Sequence, residues 1–373
     1  MAFIKSIISF IFAPLLILGG ISTRVYVASP VSVPIATTTS EIVISSSTEQ
    51  TKPATITTKA KLATTTKAVT KTKPIPDPAQ STPMTFTGPI PDFELINTYA
   101  RQATVNIYCT TIGGSLSPIS GTGVVVTKDG VILTNAHIAQ YLLLKDFRQK
   151  DFIKCVVRTG SPAYPKYDLE MVYISPTWVE NNSAIIKDQN PKGTGENDFA
   201  FLRIIDSVDG SSLPESFLFI PMDIRENIEK GEPVLLVSYP AGFLGGQSIA
   251  QNLNIASAIT TIKDIFTFKE GTRDLLAVPG TVVSQKGSSG GLVVDRFATL
   301  IGIISTSSDG TTTSDRGLNA ITVPYINRSM KSELGMSLEQ FLSQDVPAFA
   351  KKFQEKNVPG LVDLITEVLL KTN

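Results

Sequence analysis

Two hydrophobic periodicities divide the chain. Between residues 105 and 323, short runs rich in Val, Ile and Leu recur, each bounded by Gly, Pro, Asn or Asp, the signature of β-strands joined by tight turns. One group is predicted at 105–112, 123–127, 131–134, 154–158, 169–175 and 199–205, with Lys128-Asp129-Gly130 suited to a hairpin. A second group is predicted at 234–238, 255–262, 275–278, 291–294, 300–305 and 318–323. Two sets of short strands with Gly- and Pro-rich turns predict an all-β fold of two antiparallel β-barrels. A short helix is expected at 94–101, before the first strand. Beyond Met330 the period changes: Phe341, Leu342, Val346, Phe349 and Phe353, then Leu361, Ile365, Val368 and Leu369, recur at helical spacing. These short C-terminal helices are expected to pack on the second barrel. The stretch 178–196, rich in Asn, Lys and Gly, reads as a polar insertion on the surface.

Upstream of the strands the pattern is different again. Residues 7–21 are almost wholly apolar behind Lys5, with Pro14 inside and Gly19-Gly20 near the end. That length suits either a signal peptide or an uncleaved N-terminal membrane anchor over residues 1–28, with a slight lean to the anchor, and either places the rest of the chain outside the cytoplasm. From residue 29 to 92 Thr, Ser, Pro, Ala and Lys dominate. Such a composition cannot bury enough apolar surface to offset its ordering entropy, so a disordered tether about 45 Å from end to end is expected. The folded parts are then a β-domain over 93–330 and a helical extension over 331–373.

Composition changes this picture little. The 373 residues carry 33 basic and 33 acidic side chains, so no charge imbalance points to nucleic acid. No cofactor and no metal site is expected.

The candidate chemistry lies in three separated places. Gly287-Ser288-Ser289-Gly290-Gly291 can set a serine hydroxyl on a tight turn beside bare backbone N–H groups. A serine needs a positioned base, and the chain has a single histidine, His137, in Thr134-Asn135-Ala136-His137. Asp198, in Asn197-Asp198-Phe199-Ala200-Phe201-Leu202, opens an apolar strand where a carboxylate could orient the imidazole. Because no histidine follows Ser289, the nucleophile elbow of an α/β-hydrolase is excluded. The order His137, Asp198, Ser289 suits two β-domains with a cleft between them.

With these three blocks the sequence resembles the chymotrypsin/trypsin-like serine proteases, and more closely their bacterial exported HtrA-type branch. Gly121-Thr122-Gly123, the run from Gly231 to Pro240 and the run from Leu300 to Thr306 follow the same pattern, so the resemblance spans roughly residues 95 to 330. It implies a serine endopeptidase acting on protein or peptide substrates, with Ser289 as nucleophile, His137 as base and Asp198 as its orienter. The backbone N–H groups of Gly287 and Ser289 would bind the oxyanion. Ser305 and Thr306 would lie on the strand that pairs with substrate, with Ser305 also approaching Asp198. Val283 would stand in the primary pocket, favouring an uncharged side chain before the cut bond.

The resemblance has departures. Ser288 stands where zymogen-activated members carry an aspartate, and too few residues follow the barrels for a PDZ domain. Cys109 lies earlier than the cysteines that bracket the histidine in the family, which leaves two buried free thiols as the plainer expectation and a disulfide with Cys155 as the other. The rival functional reading is a latent trypsin-like domain, tethered to a membrane through its N-terminal segment, whose task is binding. The oligomeric state is left open.

Overall fold

A computed structural model describes residues 92–371, apart from 113–115, 189–192, 243, 308–311 and 313–315. The anchor or signal peptide at 1–28 and the tether read from 29 to 92 lie outside the described residues, save Asp92. Among the described residues no helix is long and apolar enough to cross a membrane.

The first domain is a closed barrel of six antiparallel strands in the order β1-β2-β3-β6-β5-β4. The strands are β1 (Thr104–Thr111), β2 (Ile119–Val125), β3 (Val131–Thr134), β4 (Ile153–Thr159), β5 (Tyr164–Ile174) and β6 (Ala200–Ser207). The second is a seven-stranded antiparallel sheet, β8-β7-β11-β12-β13-β10-β9, curled into a half-barrel. Its strands are β7 (Pro233–Ser238), β8 (Ala256–Thr261), β9 (Asp264–Phe266), β10 (Leu275–Val278), β11 (Leu292–Val294), β12 (Leu300–Ser307) and β13 (Leu318–Thr322). The strand pattern predicted two antiparallel barrels, and their build is the chymotrypsin-like one that the resemblance implies; only the three-residue β9 was not foreseen.

The continuous apolar run of β7 has a simple cause. Side chains alternate across a strand, and here both faces are buried. Val234 and Leu236 join the interior of the curled sheet, whereas Leu235 and Val237 join the larger cluster that fills the first barrel and the seam. β11 divides likewise, with Val293 on one side and Leu292 and Val294 on the other.

Of the helices in the first domain, one stands where it was expected and two do not. α1 (Phe93–Ala103) begins at Asp92, whose side chain caps the backbone N–H of Glu94. It leads directly into β1, yet its Arg101 reaches the second sheet at Ile255 O, 3.3 Å away, so the first of the described elements grips both domains. α2 (Ala136–Leu143) was not foreseen, because it is buried almost all round and its apolar run reads as a continued strand. The polar insertion begins instead with α3 (Pro176–Asn182), whose Trp178 and Val179 are buried.

α4 (Gly246–Gln251) lies in the β7–β8 connection, and α5 (Val323–Leu334) follows β13. α6 (Leu338–Ser343), α7 (Val346–Lys356) and α8 (Val358–Leu370) form the C-terminal extension. α7 packs on β5 and α8 on α3, not on the second sheet. The deciding contacts are aromatic: Phe353 meets Tyr173 at 5.3 Å between ring centroids, and Phe341 meets Phe201 at 4.9 Å.

Cys109 and Cys155 face each other directly in the β1–β4 register and form a disulfide, not the free thiols the sequence favoured. Position along the chain could not show this, since the pairing depends on which strands are neighbours.

Candidate active site

His137 enters on the first turn of α2. The first N–H groups of a helix have no partner within it, and Asn135, at the N-cap, does not supply one. Asp198 does: its Oδ1 accepts the His137 backbone N–H at 2.9 Å, and its Oδ2 accepts from His137 Nδ1 at 2.8 Å. One carboxylate thus caps α2 and holds the ring that α2 presents. Ser305 Oγ donates to the same Oδ2 at 2.7 Å. The β12–β13 register slips between Ile304 and Thr306, so Ser305 is the extra residue of a bulge, a device that re-aims a side chain.

Asp198 is only 4 % exposed. Burial by itself would raise its pKa, but the charge and ring N–H of His137, the His137 backbone N–H and the Ser305 hydroxyl outweigh burial and hold the carboxyl below its ordinary range. An ionised carboxylate can only accept, so Nδ1 carries a proton, and the tautomer this selects is the one whose neutral ring has its lone pair on Nε2.

The turn that delivers Asp198 is itself pinned. Asn197 has a positive φ of 57°, an unusual conformation for a residue with a side chain. Tyr325 of α5 accepts the Asn197 N–H at 2.9 Å and donates to Asn197 Oδ1 at 2.9 Å, and Ser329 Oγ donates to the same oxygen at 2.7 Å. Asn135 Nδ2 holds the Asp198 carbonyl at 2.9 Å.

Ser289 is half-buried on a turn between the two domains. Its carbonyl accepts from Thr122 N at 2.8 Å, and the following N–H, of Gly290, donates to Ile304 O at 2.7 Å. Gly290 has φ +82°, and a Cβ there would lie 1.9 Å from Thr122 O and 2.6 Å from Thr134 Oγ1. Only glycine lets the residue after Ser289 come this close to the strand end that precedes His137. Ser288 Oγ donates to Val283 O at 2.5 Å and accepts from Ser238 Oγ at 2.8 Å, which fixes the turn from below.

Gly287 completes the turn at φ +91°, with Tyr239 O 2.7 Å from where a Cβ would sit. The Lys286 carbonyl is taken by Ala241 N–H at 2.6 Å. In a trans peptide the C=O and the next N–H point opposite ways, so the Gly287 N–H is turned away from Ala241. Among the described residues neither this N–H nor that of Ser289 has an acceptor. Two adjacent bare donors beside a serine hydroxyl can hold a developing oxyanion.

Not every expected residue meets the others. Ser289 Oγ makes no hydrogen bond among the described residues, His137 included. Thr306 is half-buried and accepts weakly from Asn319 at 3.3 Å. Val283 is wholly buried in the interior of the curled sheet, so its side chain lines no open surface. The sequence reading missed Thr122, Asn135, Tyr325 and Ser329. Thr122 stood in the quoted Gly-Thr-Gly, but its partners lie in the other domain. No group of His, Cys, Asp and Glu able to hold a metal ion occurs among the described residues.

A closed barrel carrying a histidine–aspartate pair, joined to a curled sheet that carries a glycine-flanked serine turn, is the build of a trypsin-like serine protease. Residues 121–303 match the family described as Trypsin-like peptidase domain. Two solved structures are similar in part. One is Deg5, at 16 % identity and TM-score 0.42, covering 63 % of this chain and 90 % of that one. The other is the serine endoprotease from Yersinia pestis, at 19 % identity and TM-score 0.42, covering 66 % and 67 %. Comparison with curated protein sequences gave no match.

Proposed function

We propose that the chain is a serine endopeptidase working through His137, Asp198 and Ser289 by way of an acyl-enzyme. The observation that carries this reading is the Asp198 carboxylate holding both the backbone and the ring of His137, which leaves Nε2 as a base on the seam where the Ser289 turn sits. Ser289 Oγ attacks the peptide carbonyl carbon as its proton passes to Nε2, and the carbonyl π pair moves onto oxygen, within reach of the Gly287 and Ser289 N–H groups. Collapse expels the amine, which takes the proton from Nε2. Water then repeats the sequence on the ester and frees Ser289. The serine–histidine hydrogen bond this needs is one that commonly tightens only with substrate bound. Ser305 and Thr306 belong, in this reading, to the strand that meets the substrate backbone.

The rival reading, a latent domain whose task is binding, calls for an unformed oxyanion site. Against it stands the Lys286–Gly287 peptide, with its carbonyl tied to Ala241 and its N–H free. The apolar residues 7–21 support an extracytoplasmic enzyme, exported or held at a membrane by that segment.

A fluorophosphonate probe tests the proposal. The folded wild type is expected to label at one site, and Ser289→Ala to lose both labelling and peptide hydrolysis, with kcat down on the order of 10⁶. A folded wild type that does not label sinks it.

A further inference from the structure

Arg158 in β4 is 1 % exposed, and among the described residues no carboxylate pairs with it. Removing a guanidinium from water without a counter-ion is costly, so what its donors hold shows what the fold gains from it. Nε donates to Asn106 Oδ1 at 2.7 Å. Nη1 donates to Ile249 O and Ala250 O, at 2.9 and 3.0 Å, the carbonyls at the end of α4. The plane of the guanidinium lies over the Tyr108 ring, 4.3 Å from its centroid. The charge is therefore offset by helix-end carbonyls and a π face, both from dipoles and not from an anion.

Both sets of bonds lead to the same place. Asn106, fully buried, passes its Nδ2 to Gly121 O at 2.6 Å, next to Thr122. Thr122 in turn donates to Gly287 O at 2.8 Å, and its N–H holds Ser289 O. On the other side, α4 closes the loop that begins at Tyr239 and Ala241. Tyr239 N–H donates to Thr122 Oγ1, its hydroxyl holds Gly160 O two residues beyond Arg158, and Ala241 N–H holds the Lys286 carbonyl.

We infer that Arg158 is a positioning residue for the oxyanion-binding turn, setting the Lys286–Gly287 peptide from the first barrel through Asn106 and through the α4 loop. The inference rests on the reading of Ser289 as nucleophile. A cation confined to β4 thereby makes the reactive half of the second domain depend on the first. Lysine cannot replace it, since one ammonium cannot span Asn106 and two carbonyls in a fixed fork.

The test uses the full chain and the fluorophosphonate probe, with the maximal labelling rate and the half-saturating probe concentration measured per folded molecule by near-UV circular dichroism. Arg158→Lys and Arg158→Met are expected to lower the maximal rate about 10-fold to 100-fold, short of or equal to loss of one oxyanion donor, with half-saturation within about twofold. Ala241→Pro, which deletes the N–H on Lys286 O, should give the same split, and Arg158→Lys combined with it should be little worse than either alone. A merely structural arginine would lower the melting temperature and leave the rate per folded molecule at the wild-type value, which overturns the inference. Should Arg158→Met not fold, Arg158→Lys and Ala241→Pro decide by the same criterion. A wild type that fails to label overturns the nucleophile reading and this inference with it, whereas equal labelling of wild type and folded variants overturns this one alone.

Discussion

Asp198 concentrates the residue-scale physics of this site, because one buried carboxylate serves three donors from two domains. Its folded pKa is depressed, so its contribution to stability has a defined sign. The contribution is complete above the unfolded value of about 3.9 and is lost as pH falls through the lower folded value. The stability of the wild type minus that of Asp198→Asn, measured by urea unfolding, should therefore be present at about pH 5 and should shrink as pH falls below about 4. A difference that instead grew between about pH 4 and about pH 2 would mean the carboxyl is protonated in the fold. Asn197 shows the complementary point. Its left-handed backbone would be strained on its own and is held by Tyr325 and Ser329, which come from a helix more than 120 residues further along the chain.

Among the elements, the C-terminal helices matter through one surface. α7 lays Phe353 against Tyr173 of β5, and Gln354 Nε2 donates to Met171 O at 2.7 Å. Tyr173 also donates to Glu333 of α5, and its pKa is raised by burial first and then by that carboxylate. These helices complete the outer wall of the first barrel. Phe353→Ala, which empties a nearly buried ring site, should cost about 3 to 4 kcal/mol in denaturant unfolding, while the labelling rate of the folded fraction stays near wild type. An unfolding cost under about 1 kcal/mol would show that the helices are an appendage. Their helical period was legible in the sequence. Their docking face was not, because an amphipathic stripe records that a helix buries one side without recording against what.

For the whole molecule, the proposed chemistry depends on a seam between two domains, and Thr122 is its narrowest tie. Its hydroxyl donates to Gly287 O and accepts the Tyr239 N–H at 3.0 Å, and its backbone holds Ser289 O and approaches Gly290. Thr122→Val keeps the shape and strands two buried backbone groups, at a cost of about 1 to 3 kcal/mol. The phosphonate labelling rate of the folded variant should fall with it, whereas a stability loss with an unchanged rate would place the seam's influence elsewhere. The disulfide between Cys109 and Cys155 and the grip of Arg101 on Ile255 bind the same first barrel internally and to its neighbour.

The sequence by itself determined the strands, their division into two sets and the three blocks around His137, Asp198 and Ser289. Each of these is a local fact: a period of two, a turn residue, a short motif whose neighbours along the chain are its neighbours in space. Tertiary structure alone decided that Cys109 faces Cys155, that Val283 is buried under the serine turn, that α2 carries the histidine, and that α7 covers β5. It alone also brought Thr122, Asn135 and Tyr325 to the site. Their side chains are polar residues in ordinary strands and helices, and their roles rest on hydrogen bonds to groups far away in sequence. No period or spacing along the chain encodes such partners; strand register and domain packing do.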